Sequence, residues 1–154
     1  MKKYHYKEQD LQIRCVKWFR VTYPAFAFLM FHPKNEEAGG RERAVRAKKE
    51  GVQAGVADLM FMIPTQDYFA LAIELKDKDG RMSPQQKIFK RYFEAAGGKY
   101  VTVRTFDDFV NEVTKHMDDV TPITWGAVKD VYKAVDEERT AEAKRQLEAL
   151  IHKQ

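Results

Sequence analysis

The chain has 154 residues, of which 44% are hydrophobic and 12% aromatic, and its 27 basic and 23 acidic side chains give a formal net charge of +4. This length and composition fit one folded domain and exclude wholesale disorder, while the small positive charge permits nucleic-acid binding without requiring it. No apolar run approaches the length of a membrane span and the N-terminus is too polar for a signal peptide, so we expect a soluble, intracellular protein with no membrane partner.

The first half of the sequence predicts two helices separated by a strand and a loop. Residues 25–31 form an aromatic-rich run typical of a buried strand, and residues 32–40 read as a loop with a proline and a glycine pair. Residues 41–50 predict a basic helix. The first helix, over residues 7–20, carries an amphipathic stripe that should bury the single cysteine; the stripe consists of Leu11, Cys15, Trp18 and Phe19.

The second half predicts a hairpin followed by a helix, a strand and another helix. Strand-like runs over 57–63 and 68–76 flank a Pro-Thr-Gln-Asp turn. A serine N-cap and a proline at the first helical position begin a helix that should end near Ala96. Residues 99–104 alternate as a strand does, and a helix should follow Thr105 with one apolar face, made of Phe109, Val110 and Val113.

This order of elements predicts an α/β domain with a central mixed sheet flanked by helices. We place that domain at residues 1–118 and a helical C-terminal extension at 119–154. The end of the extension is rich in strong helix formers and has a narrow apolar stripe that either packs back on the domain or lies at a homodimer interface. The stripe consists of Ala143, Leu147, Leu150 and Ile151.

Two carboxylates embedded in the apolar hairpin strands are the strongest chemical signal in the sequence. Buried carboxylates are costly unless a positive group accompanies them, and alternation along a strand puts Glu74 and Lys76 on the same side. Asp58 can reach that side from the neighbouring strand. Such a set suits a hard cation such as Mg²⁺, which polarises a phosphoryl group and activates water. By spacing alone, however, a solvent-facing Glu-Lys salt bridge on an edge strand is the better explanation of the triplet, because such triplets occur often by chance.

The wider pattern resembles the VRR-NUC family of the PD-(D/E)XK nuclease superfamily. The residues that carry the resemblance extend from about Glu8 to Val113 and include Gly55-Val56-Ala57-Asp58, Ile73-Glu74-Leu75-Lys76, Gly80, Ser83-Pro84 and Gln86. The resemblance implies a restriction-endonuclease-like core with Asp58, Glu74 and the Leu75 carbonyl as metal ligands and Lys76 as the catalytic lysine. It also implies that Gln86 and Glu8 lie near the site.

One position departs from the family pattern, because Ala57 stands where the family usually has proline before the aspartate. Alanine removes no chemical group, so we expect activity to survive. Spacing favours Gln86 over the adjacent Gln85 as the family's glutamine. Glu8 also lies in the first turn of a predicted helix, where the helix dipole favours an acid whatever its function.

Several polar residues around this centre are candidate contacts to a nucleic-acid backbone. His32 and Asn35 lie in the loop after the first predicted strand, where an exposed histidine or a simple turn residue is the alternative. A run of basic side chains near a phosphate-cutting site would supply affinity without sequence readout, although a solvated helix face is the plainer interpretation. The basic candidates are Arg41, Arg43, Arg46, Lys48, Lys49, Lys78 and Arg81.

Together these features predict a deoxyribonuclease dependent on Mg²⁺ or Mn²⁺. Resemblance to compact, stand-alone members of bacterial or phage type suggests a structure-selective endonuclease that acts on branched DNA, such as a Holliday junction in DNA repair, in the cytoplasm of a bacterium or an infected host. A homodimer could cut two strands of such a substrate. The alternatives are an exonuclease or flap nuclease that acts with a partner, and a catalytically silent nucleic-acid-binding module.

Overall fold

The computed structural model describes residues 5–33 and 41–151, and all structural statements below concern these ranges. The chain divides into two compact units, Met1–Val120 and Thr121–Gln154. In the part that is described, no helix is both long enough and apolar enough to cross a membrane. The first unit holds the sheet and the second is helical.

The elements of the first unit follow the predicted order of helix, strand, helix, strand, strand, helix, strand and helix. Their bounds are α1 His5–Thr22, a 3₁₀ helix Pro24–Leu29, β1 Met30–Phe31, α2 Arg41–Lys49, β2 Leu59–Phe61, β3 Leu71–Leu75, α3 Pro84–Ala95, β4 Lys99–Val103 and α4 Phe106–Asp118. The second unit contains α5, Pro122–Ile151.

The four strands form one mixed sheet in the order β1-β2-β3-β4. β1 and β2, and β2 and β3, pair antiparallel, so β2 and β3 make the expected hairpin. β3 and β4 run parallel, with α3 as the crossover that a parallel connection requires. In the hairpin Leu59 pairs with Ile73, and across the parallel pair Glu74 faces Thr102.

Helices cover both faces of the sheet. On one face, α1 and α4 pack around a set of aromatic rings in which Phe61 of the sheet lies 5.0 Å from Phe19 and 6.3 Å from Phe109. On the other face, α3 covers Ala72 and Tyr100 through Phe93. Glu74 lies on this second face because it alternates with the neighbouring apolar residues of β3. The buried Cys15 and Phe19 confirm the predicted inner stripe of α1.

Two helix starts follow from local chemistry at their N-caps. The Ser83 hydroxyl accepts the backbone N–H of Gln86, and the Gln86 side chain accepts the backbone N–H of Ser83, which forms a capping box with Pro84 at the first helical position. Thr105 caps α4 by accepting the backbone N–H of Asp108 at 3.1 Å. The first of these caps also fixes the direction of a side chain used in the site.

The predicted strand over 25–31 is wrong for most of its length. Pro24 begins a 3₁₀ helix, in which the N–H of Phe26 donates to the Tyr23 carbonyl at 3.0 Å, and only Met30–Phe31 pair as a strand. Proline fixes a helical φ, and a short apolar run does not reveal its period. The hairpin strands are also shorter than the predicted 57–63 and 68–76, as their bounds show.

The second unit is a single helix of 30 residues, α5. Of the predicted apolar stripe, Leu147 is 59% exposed, and the side chains of Leu150 and Ile151 lie outside the described set. Other apolar side chains of α5 are exposed as well, among them Ile123 and Val131. The homodimer therefore stays a prediction.

Candidate active site

A cleft of about 690 Å³ opens at the end of the hairpin where β2 begins and β3 ends. Its walls come from the start of α1, the segment before β2, the end of β3 and the start of α3. The lining includes seven residues that the sequence singles out: Glu8, His32, Asp58, Leu75, Lys76, Arg81 and Gln86. Further lining residues include Gln9, Gln12, Gly55 and Gln85.

Asp58 is held by a backbone group that the sheet leaves free. Ladder pairing between β2 and β3 ends at Leu59 and Ile73, so the N–H of Leu75 projects beyond the paired region and donates to Asp58 Oδ2 at 2.7 Å. The carbonyl of a strand residue points to the same side as its N–H, so the Leu75 carbonyl faces the Asp58 side too. His32 donates from Nδ1 to the Asp58 carbonyl at 2.6 Å, which leaves Nε2 as its second polar atom.

Glu74 is fully buried and both of its carboxylate oxygens are engaged. Oε1 lies 2.7 Å from the Lys76 ammonium and also accepts the amide of Gln86, while Oε2 accepts the Tyr100 hydroxyl at 3.1 Å. The capping box orients Gln86, because its amide oxygen is fixed by Ser83 and its amide nitrogen must then point at Glu74. The contact distinguishes Gln86 from the neighbouring Gln85.

Burial dominates the electrostatics of the two carboxylates. Desolvation raises the pKa of Glu74 against the opposing hydrogen bond from Lys76, and it raises the pKa of Asp58 against the hydrogen bond from Leu75. Burial alone lowers the pKa of Lys76, but the contact with Glu74 and the charge of Asp58 outweigh it and the net pKa is raised. The site therefore stabilises the charged form of the Lys76 ammonium, whereas burial disfavours the charged forms of Asp58 and Glu74.

The segment after β3 is fastened from two sides. Glu8 of α1 accepts the backbone N–H of Asp77 at 3.0 Å, so α1 contacts the segment that directly follows β3. From β4's end, the Arg104 guanidinium donates to the carbonyls of Asp77, Lys78 and Gly80, the last two at 3.0 Å. These contacts position Lys76 between two anchored neighbours.

Gly55 lets the segment before β2 approach α3. Its φ is +84°, and a Cβ built there would lie 2.5 Å from the backbone carbon of Gln85. Both the left-handed backbone and the close approach therefore require glycine. Gln86, which hydrogen-bonds to Glu74, directly follows Gln85 on α3. The close approach at Gly55 therefore brings the segment that contains Asp58 near the helix that contacts Glu74.

Sequence reasoning missed two residues that contact this centre. Tyr100 lies in the predicted strand 99–104, on the face that it shares with Thr102 and Arg104, and nothing in that pattern marked it as a partner of Glu74. Arg104 ends that predicted strand, and its charge at a strand end was the only hint of a role. Neither position carries a motif.

The predicted basic contacts divide into those in the cleft and those outside it. Arg81 lines the cleft, whereas Lys78 and the described α2 side chains Arg43, Arg46, Lys48 and Lys49 are not among its lining residues. Arg46 is paired with Glu50 at 2.7 Å on the exposed side of α2. Asn35 and the side chain of Arg41 lie outside the described residues.

The donor set fits a hard divalent cation. In the cleft, Asp58 offers a carboxylate oxygen and Leu75 a carbonyl oxygen, and Glu74 would add a carboxylate oxygen only by exchanging one of its present contacts for the cation. Mg²⁺ takes such oxygens when it keeps several waters and uses one or two carboxylates. Across the described ranges, no three His, Cys, Asp or Glu side chains form a metal-holding group, so a protein-only cage is not present there. Raised carboxylate pKa values also mark negative charge that a cation would stabilise.

Comparisons with known proteins agree on family and fold. The model of the VRR-NUC domain family matches residues 2–107. A solved structure described as a VRR_NUC domain protein superposes with a TM-score of 0.63 over 73% of this chain and 89% of that chain, at 21% sequence identity. That likeness confirms the predicted restriction-endonuclease-like fold, a mixed sheet flanked by helices. A comparison with curated proteins gives no match.

Proposed function

Because the chain belongs to the VRR-NUC domain family of nucleases, we propose that it hydrolyses DNA phosphodiester bonds with Mg²⁺ or Mn²⁺ at the cleft. The observation that carries the proposal is the convergence of Asp58, Glu74 and Lys76 at one end of the hairpin, with Lys76 Nζ 2.7 Å from Glu74 Oε1. A buried Glu-Lys pair next to a second carboxylate in an open cleft is poorly explained as a surface salt bridge. The solvent-facing alternative required both side chains to be exposed, and Glu74 is not.

The groups that would hold the cation are Asp58, Glu74 and the Leu75 carbonyl. When bound there, a divalent cation supplies Lewis-acid polarisation of the phosphate and a lowered pKa for water. Asp58 lines the cleft and has Oδ1 beside the oxygen that Leu75 occupies. Glu74 is not among the lining residues but lies buried against Lys76, which is one of them. Lys76 adds a positive charge beside the same carboxylates.

The chain's own side chains then position and stabilise the substrate. The Lys76 ammonium offsets negative charge that builds on the phosphate and orients the attacking water. Gln86 and Tyr100 hold Glu74 in one orientation, which keeps the ligand set fixed. His32 presents Nε2 to a phosphate oxygen, and Arg81 at the cleft lining adds a cation for the DNA backbone.

We further propose a structure-selective endonuclease that acts on branched DNA, with Holliday junctions as the leading candidate and a homodimer as the active form. The basic side chains of α2 and Lys78, outside the cleft, would contact phosphates away from the cut. Exposed apolar residues of α5, such as Val131 and Leu147, supply a surface that a second copy could cover. Two cleavage centres in one dimer would match the two strands cut at a symmetric junction.

The test is cleavage of labelled single-stranded, duplex, flap and four-way-junction DNA with and without Mg²⁺ or Mn²⁺. Wild type is compared with Glu74→Ala and with Asp67→Asn, a matched loss of one exposed carboxylate at the opposite end of the same hairpin. We expect wild type and Asp67→Asn to cut DNA in a metal-dependent way and Glu74→Ala to lose this activity. Binding without cutting of any form would favour the silent binding module instead.

A further inference from the structure

A second groove, the α3 groove, continues from the candidate cleft along α3. It has a volume of about 340 Å³ and is lined by Gln53, Ala54, Gln85, Ile88, Phe89 and Tyr92. Ala54 and Gln85 also line the cleft, so the two depressions adjoin each other at these residues. A strand whose phosphate is held in the cleft can therefore continue into this groove.

The lining of the α3 groove is mostly apolar although it faces solvent. Ile88 is 55% exposed and Tyr92 is 77% exposed, and their spacing of four residues puts them on one face of the helix. The opposite side of α3 already supplies the core through Phe93. Phe89 lies between the two faces and stacks on Phe93 with ring centroids 5.6 Å apart, so this lining residue is packed against the core.

Cations border this apolar face. Lys87 and Arg91 each precede a groove residue by one position and are also four residues apart, so they form the adjacent row on α3. Both are exposed, and within the described ranges neither has an ion-pair partner. By contrast, Lys90 is 3.8 Å from Glu94. The groove thus combines an exposed ring with two exposed cations, the arrangement that binds single-stranded nucleic acid through stacking and phosphate contacts.

We propose that the α3 groove seats unpaired bases of the DNA strand that leaves the cleft, with a base stacked on the ring of Tyr92. Lys87 and Arg91 contact the phosphates of the same strand. A protein partner or a second copy would need acids to match these two cations, whereas a nucleic-acid strand carries a negative charge at every step. The inference rests on the proposed function, because the cleft must hold a DNA strand for the groove to receive its continuation.

The test isolates stacking from charge by comparing two single-stranded oligonucleotides of equal length, one ordinary and one abasic throughout. Affinities are measured by fluorescence anisotropy in EDTA, so that no strand is cut. Wild type should bind the ordinary strand more tightly by roughly 5- to 150-fold, which corresponds to ~1–3 kcal/mol for one stacked base. Tyr92→Ala should remove most of this ratio and Tyr92→Phe, which keeps the ring, should retain it.

A double substitution, Lys87→Ala with Arg91→Ala, provides the complementary result. It should weaken both oligonucleotides alike and lower the slope of log affinity against log salt by about 1.4, at ~0.7 per phosphate contact in single strands. Equal affinities of wild type for the two strands, or a Tyr92→Ala variant with the wild-type ratio, would overturn the proposal. Because nothing is cleaved in EDTA, either result stands apart from the outcome of the cleavage panel.

Discussion

Replacing Gly55 with alanine should cost far more stability than the same change at Gly51. Both glycines have a left-handed backbone, with φ of +84° and +93° respectively. A Cβ at Gly51 meets nothing within 4 Å, whereas one at Gly55 would lie 2.5 and 2.6 Å from the backbone carbon and oxygen of Gln85. Gly51→Ala therefore measures the cost of the conformation alone, and the difference between the two variants measures the close approach to α3.

The expected magnitudes follow from these two contributions. A left-handed conformation costs a residue with a Cβ about 1–2 kcal/mol, which is the whole expected loss for Gly51→Ala. Forcing an extra carbon into a packed contact adds roughly 1–3 kcal/mol, so Gly55→Ala should lose about 2–5 kcal/mol. Since the obstacle is backbone rather than a flexible side chain, relief requires that α3 moves. That movement would draw Gln86 away from Glu74.

The assay is urea unfolding followed by tryptophan fluorescence in a Trp125→Phe background, which leaves Trp18 of α1 as the reporter of the first unit. Trp18 packs against Tyr23, Phe106 and Phe109 with ring centroids 5.9–6.4 Å apart, so its emission reports the core. DNA cleavage is measured in parallel and should fall for Gly55→Ala only. Equal losses of stability in the two variants would refute the close-approach argument.

Three further changes test other contacts. Burial lowers the pKa of His116, partly opposed by a 2.8 Å hydrogen bond to the Ile63 carbonyl. The neutral imidazole therefore contributes its full stability above the unfolded pKa of about 6.5, and this contribution decreases as the pH falls below that value. His116→Gln should therefore reduce the dependence of the urea midpoint on pH between about pH 7.5 and 5.5. A midpoint that varies with pH as steeply as in wild type would contradict this account. Tyr100→Phe removes one hydrogen bond to buried Glu74 and should cost about 1–3 kcal/mol in urea unfolding; a wild-type midpoint would show that the contact contributes nothing. Arg104→Met should speed amide hydrogen exchange in the loop after β3 but not in the strands, because three hydrogen bonds from Arg104 to the carbonyls of that loop are lost. Unaltered exchange in the loop would show that these bonds do not stabilise it.

The order of elements could be predicted from the sequence because most segments have a clear period or a strong cap. The Ser83-Pro84 start of α3 is an example, since its capping chemistry is entirely local. The run after Pro24 could not be assigned, because a short apolar segment has the same composition in a strand and in a 3₁₀ helix. Tertiary pairing with β2 extends only to Met30 and Phe31, and nothing local marks that limit.

The candidate site divides in the same way. Glu74 and Lys76 share a face by strand alternation, so their contact was predictable once the strand was assigned. The partners that come from other elements were not predictable from spacing: Tyr100 is 26 residues from Glu74, and Arg104 is 24 to 27 residues from the carbonyls that it binds. Their roles depend on the parallel register of β3 and β4, which only the fold supplies.

The contact between Glu8 and the N–H of Asp77, 69 residues apart, has a consequence for synthesis of the protein. A chain emerging from the ribosome presents α1 long before the hairpin exists, and Tyr100 must emerge before Glu74 has all its partners. Contacts so distant in sequence form late because loop closure precedes any gain from them. We therefore expect a nascent chain to lack the full set of contacts around Glu74 until β4 is in place.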